Sequence, residues 1–134
     1  MICREALIDV ANHVGGWDTS ENPWEGGSDH DVFNGQKIPA ALMWHFTDFT
    51  YHTSLDRMEM IDGKELQRTC TAIVSAGLAL SDLRAGDLPR HVASNEMERK
   101  LQVQAARADK NAAAEAAWNA WCDGVNEWFE PYKR

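Results

Sequence analysis

Only three cysteines occur in 134 residues, Cys3, Cys70 and Cys122, far apart and in no C-x-x-C pair. An odd number without a framework spacing excludes a disulfide-stapled fold and fits reduced thiols in a cytosolic protein. Bases are also scarce: 13 Lys and Arg stand against 21 Asp and Glu, a formal net charge of −8 with His neutral. That balance excludes charge-driven, nonspecific binding of DNA or RNA, which needs cations to neutralise phosphates. It equally disfavours docking on an anionic membrane surface. No long hydrophobic run exists. The most apolar stretch, residues 72–80, falls far short of the ~20 residues of a membrane span and reads as a buried helix. The first residues, Met1-Ile2-Cys3-Arg4-Glu5, lack a basic region and apolar core, so no signal peptide is expected. Period-two Val/Ile strands, internal repeats and strand–helix alternation are missing too.

What remains is ordinary globular material, 44% apolar and 25% charged. The length suits one domain, burying roughly two-thirds of its unfolded surface. Ile2, Ala6, Leu7, Val10, Ala11 and Val14 recur at helical steps, and Gly15-Gly16 stops that helix. Residues 15–37 hold no period. Pro39 fits the first turn of a second helix, which the spacing extends to residue 61. Asp62 is placed to cap a third helix over 64–84, with Leu66, Cys70, Ile73, Gly77 and Leu80 on one face. Cys70 and Cys122 are expected in the core. Asn95 reads as an N-cap, with Glu98 completing a box-like pattern, and helix continues to residue 130 before Pro131. Within that stretch Met97, Leu101, Ala105 and Ala108 mark one face. Trp118, Trp121, Cys122, Val125, Trp128 and Phe129 mark another, about a quarter turn away. The shift predicts a kink or break near Asp109-Lys110-Asn111, or a helix that changes packing partner there. The expected architecture is a single-domain all-α bundle of four to five helices with a long irregular loop after the first.

Two segments carry functional candidates. The loop over 15–37 combines Trp17, Trp24 and Phe33 with Asp18, Glu21, Glu25, Asp29 and Asp31, against the single base Lys37. Aromatics in such a loop either fold back on the core or face a partner, and loops this long are commonly functional. Trp17, Asp18, Glu21, Trp24, Glu25, Asp29 and Asp31 are therefore the candidate partner-binding residues. The second candidate lies on the expected helix over 39–61. There His45, Asp48, His52, Asp56 and Glu59 fall on one stripe, flanked by Trp44, Tyr51 and Leu55 and by Leu42, Phe46 and Phe49. Imidazole and carboxylate on one face are ligands for Zn, Mn or Fe, with His45, Asp48 and His52 as the candidate set. A facing helix would have to add Glu65, Asp82, Glu96, Glu98, Asp109 or Glu115. Neither a Glu-x-x-His pair nor H-E-x-x-H is present. The alternative is a solvated or structurally paired stripe.

Other chemistry finds no pattern. In Asp29-His30-Asp31-Val32-Phe33-Asn34-Gly35 the calcium-loop register fails at Phe33 and Asn34. G-x-S-x-G and a phosphate-cradling glycine loop are both missing, so no catalytic residue is assigned. Scattered bases, Arg84, Arg90, Arg99-Lys100, Arg107 and Lys110, suit a mixed-charge helix face. The favoured expectation is a small acidic, non-enzymatic binding protein, an inhibitor docking on the basic surface of a nucleic-acid-handling protein without touching nucleic acid or membrane. Phage-encoded antagonists of bacterial defence, anti-CRISPR proteins among them, share this size and charge, and a phage-encoded chain would act in the host cytoplasm. No residue pattern of a named family accompanies that analogy. Two alternatives stay open. One is a bundle enzyme holding a divalent metal or ligand on the His45/Asp48/His52 stripe. The other is a subunit that oligomerises through the Trp118/Trp121/Trp128 face.

Overall fold

The computed structural model describes residues 1–20 and 27–133. The fold is all-α, as the periodicity predicts. Among the described residues five helices form: α1 (Ile2–Val14), α2 (His30–Gly35), α3 (Gly63–Ser81), α4 (Leu88–Ala108) and α5 (Ala112–Phe129). Short 3-10 turns lie at Met58–Met60 and Glu130–Lys133, and no strand occurs among the described residues. No helix among them is long and apolar enough to cross a membrane. The chain divides into two compact units, Glu5–Ala76 and Met1–Arg4 with Gly77–Arg134.

The second unit is built on an α4–α5 hairpin. Its turn falls at the expected break. Lys110 takes a left-handed conformation, φ 54°. Lys110 N–H donates to the Arg107 carbonyl (3.1 Å) and Asn111 N–H to that of Ala106 (2.8 Å). This pair of bonds closes a helix C-terminus at a left-handed residue. Asn111 then caps α5, its side chain accepting from Ala114 N–H at 3.0 Å. The quarter-turn shift between apolar faces thus marks the chain reversing direction.

Ile2, Leu88 and Phe129 form the core, with Met1, Leu83, Val92 and Val125 packed around them. The His91 ring stacks on Phe129 with centroids 5.7 Å apart. Asn95 does not cap a helix. Pro89 sits in the first turn of α4, which starts at Leu88, so Asn95 lies two turns inside with none of its surface exposed. Its amide donates to the Cys122 carbonyl (2.9 Å) and to Asn126 Oδ1 (3.0 Å). Glu98 is not a box acceptor either. It is buried and accepts from Arg4 (2.6 Å) and Gln102 (2.7 Å). An Asn-x-x-Glu spacing is also an i, i+3 pair on one helix face, and here that face turns inward. Cys122 is buried, as expected.

In the first unit α1 ends as predicted, with Gly15 and Gly16 both left-handed (φ 66° and 65°). The stretch after it is not wholly irregular, because α2 forms at residues 30–35. The Asn34 amide exchanges two hydrogen bonds with the Ala40 backbone, 3.0 and 3.1 Å, closing the turn after α2. The predicted helix over 39–61 is absent. Asp48 Oδ1 instead accepts from Thr50 N–H (2.8 Å), Thr50 Oγ1–H (2.8 Å) and Tyr51 N–H (3.2 Å). Such side-chain bonds compete with the helical ladder. Thr47, Thr50 and Thr53 weaken helix further through their branched β-carbons. At Asp62 the expectation holds: its Oδ1 accepts from Lys64 N–H (2.7 Å) and Glu65 N–H (3.2 Å), starting α3.

α3 turns its small residues inward. Ala72 and Ala76 are buried. Leu66, Cys70, Ile73, Gly77 and Leu80, the expected face, are all exposed, and Val74 and Leu78 with them. Both expectations are corrected by the same cause. The α3 face that closes on the rest of its unit is the one holding Glu65 and Arg68, through polar contacts described next.

Candidate functional site

Glu65, on the first turn of α3, gathers three side chains. Trp17 Nε1–H donates to Oε2 at 2.6 Å, His45 Nε2 lies 3.3 Å from the same oxygen, and Arg68 Nη1 donates to Oε1 at 2.5 Å. The Arg68 guanidinium also stands 5.9 Å from the centroid of the Trp17 ring. Trp17 therefore folds back onto α3, one of the two fates open to a loop aromatic. Partial burial pushes the Glu65 carboxyl up, but the bonds from Trp17, Arg68 and His45 outweigh it and hold it below its ordinary range.

That direction fixes a pH dependence. A carboxyl whose folded value is depressed adds stability above its unfolded value and loses it as pH falls through the folded one. The Trp17 anchor is therefore expected to hold at neutral pH and to release below the ordinary glutamate value of about 4.3. The Trp17 indole N–H resonance reports it. In Glu65→Gln the acid transition of that resonance should vanish, and an unchanged transition would show that another group controls the anchor.

The metal-candidate residues are not brought onto one face. His45 is committed to Glu65. Hydrogen bonds from the Thr50 backbone and hydroxyl, and from Tyr51 N–H, hold Asp48 below its ordinary range and tie its Oδ1 to the local backbone. His52 stacks on Tyr51 with centroids 3.8 Å apart. Among the described residues no group of three His, Cys, Asp or Glu side chains could hold a metal ion. The helix that would have aligned the stripe is missing, so the residues lose their common face.

Of the partner-binding candidates, Asp18 and Asp29 are exposed and Trp17 is half-buried. Asp31 is half-buried too, accepting from Gly27 N–H at 2.5 Å and lying 3.6 Å from the buried His30. Glu21, Trp24 and Glu25 lie outside the described residues. In the α4–α5 unit Trp118 is half-buried against Trp121, in an edge contact at 5.7 Å, while Trp121 and Trp128 stay partly exposed.

A run of exposed apolar side chains, several of them flanking the His45/Asp48/His52 stripe in sequence, lies downstream of these candidates. Phe49 is 91% exposed, Met58 78% and Phe46 76%, and Trp44, Tyr51, Leu55, Met60 and Ile61 are exposed with them. Asp48, Asp56, Glu59 and Asp62 interleave these side chains, with Arg57 as the base among them. The three threonines among strong helical spacing were the signal that this segment would not form a plain helix.

Charge divides along the same line. Residues 5–76 carry twelve carboxylates against four bases, whereas the rest of the chain carries nine of each. The whole net charge of −8 therefore belongs to the unit that exposes these aromatics. No protein family model matches the chain, and neither does any curated protein or solved structure.

Proposed function

We propose that the chain is a non-enzymatic binding protein whose Glu5–Ala76 unit docks on a cationic surface of another protein. The observation that carries the reading is the coincidence of the entire net charge with exposed Phe46, Phe49 and Met58 in one unit. Clustered aromatics out in water are costly unless a partner covers them, and aromatic residues supply most of the energy at interfaces. Surrounding carboxylates speed encounter with a basic surface and disfavour acidic ones. Proteins that handle nucleic acid present such basic grooves, so occupancy would inhibit them by exclusion, in the cytoplasm where they work.

The test is capture from the native host's lysate on immobilised protein, with elution by salt steps. A cationic protein should be retained and should elute as salt rises. Asp48→Lys, Asp56→Lys and Glu59→Lys combined should retain it about tenfold less well, since each reversal turns attraction into repulsion. Retention indifferent to both salt and reversal would remove the reading.

A further inference from the structure

We propose that residues 48–61 are a recognition helix halted at nucleation, which completes itself inside an apolar groove rimmed by Lys and Arg on the partner protein. This rests on the docking reading above and specifies how the same unit is recognised. The halted state is visible in the hydrogen bonds. Asp48 Oδ1 accepts from the amides two and three residues on, as an N-cap does. Bonds of i to i+3 type then recur: Thr53 N–H to the Thr50 carbonyl (3.0 Å), Asp56 to Thr53 (3.2 Å), Met60 to Arg57 (2.9 Å) and Ile61 to Met58 (3.2 Å). Non-helical residues interrupt the series. His52 is left-handed, φ 58°, and Arg57 is extended, φ −132° and ψ 168°.

The first turn is the costly step of helix formation, and later residues add with little penalty. Here the cap bonds are already in place, and the first turn is closed by its Thr53-to-Thr50 bond with only the left-handed His52 holding it out of helix. Rotating His52 and Arg57 into the helical region would join the turns and bring Tyr51, Leu55 and Met58 together at i, i+4 and i+7. That is the spacing with which amphipathic helices enter apolar grooves. All three are exposed now; Tyr51 meets only surface rings, stacked on His52 at 3.8 Å and tilted against Trp44 at 6.0 Å. In the completed helix His52, Asp56 and Glu59 would border the apolar stripe on one side. A groove accepting it needs cations along that rim, and this defines the partner's chemistry. A nonglycine residue in the left-handed region is itself disfavoured, so completion relieves a local penalty at His52.

One position tests this in both directions. His52→Ala and His52→Gly each remove the imidazole and its stack on Tyr51. Alanine favours the helical conformation, and glycine tolerates the left-handed one. Far-UV circular dichroism and Cα chemical shifts of the full chain should show helix growing over 49–61 in the alanine variant and not in the glycine variant. The salt-eluted fraction retained from host lysate should bind the alanine variant roughly five- to tenfold more tightly than the glycine variant. Equal binding by both, while the charge-reversed variant fails, overturns the helix and leaves the docking reading standing. Retention of no salt-elutable protein by any variant overturns both. Helix that grows with the chain's own concentration alone assigns the stripe to a second copy and overturns the cationic groove.

Discussion

Phe129→Ala should lower stability by about 3–5 kcal/mol, the range for deleting a buried phenylalanine. Phe129 is 1% exposed and closes the core with Ile2 and Leu88, against the His91 ring on one face and the Trp128 edge at 5.2 Å. Removing it leaves a void among side chains from three elements that cannot all collapse inward. Domains of this size have total stabilities of about 5–15 kcal/mol, so the variant should sit near the edge of folding. A urea titration followed by ellipticity measures it, with the midpoint falling by 1 M or more at the usual slopes of about 1–3 kcal/mol/M. Trp128→Ala is the control. Its ring keeps part of its surface in water, so its loss should be smaller. Equal losses would mean that Phe129 is not the centre of the core.

Asn95→Asp should be comparably damaging, with a different signature. Asn95 is fully buried and uses its amide hydrogens to satisfy the Cys122 carbonyl and Asn126 Oδ1. A carboxylate there would point acceptors at acceptors, with no water to compensate. The new carboxyl must be protonated to fit, so its folded pKa is raised. The single O–H of the acid leaves one of the two acceptors unserved at any pH, while the ionisation penalty is absent below the unfolded value of about 3.9 and grows as pH rises. If burial holds the group a thousandfold more protonated than in water, the loss at pH 7 is about 4 kcal/mol. Stability of this variant should rise as pH is lowered from 7 to 5. Asn95→Leu should lose about 1–3 kcal/mol for the acceptors left without donors, with no such pH dependence. A pH-independent loss in the aspartate variant would show that water reaches the site.

Both variants probe what the sequence disclosed unevenly. The α4–α5 reversal was legible because a helix has a fixed angular step. The faces of Met97 and Leu101 and of Trp118 and Trp128 could not share one straight cylinder, and Lys110 resolves the conflict by going left-handed. The Asp62 cap and the Gly15-Gly16 stop were legible for a similarly local reason: each is satisfied by neighbours within four residues. Asn95 was misread because the same residue types serve a helix start and a buried polar contact, and only the tertiary partner Cys122 distinguishes them.

The segment over 39–61 shows the opposite failure. Its apolar spacing is helical throughout, yet Asp48 and the threonines satisfy the backbone locally, and no packed neighbour supplies the energy to override them. The candidate site moved for the same reason. His45, Asp48 and His52 had a shared face only on that helix, whereas Trp17 found a partner 48 residues away, in Glu65, that no local pattern announces. α3 adds the converse lesson. Its periodicity identified an apolar face correctly but not whether anything lies against it, since a stripe is a property of the helix and burial a property of its surroundings.

That bare stripe on α3 has a consequence for the colloidal behaviour of the molecule. Residues 69–81 contain no ionisable side chain except the Cys70 thiol, so nothing on the stripe itself keeps two copies apart. Mutual repulsion has to come from the anionic remainder of the chain, and its reach shrinks to about 8 Å at physiological ionic strength. Electrolyte should thus act twice on this molecule, loosening its grip on a cationic target while lowering the barrier to clumping. Dilute, low-salt solution is where its single-copy form should persist longest.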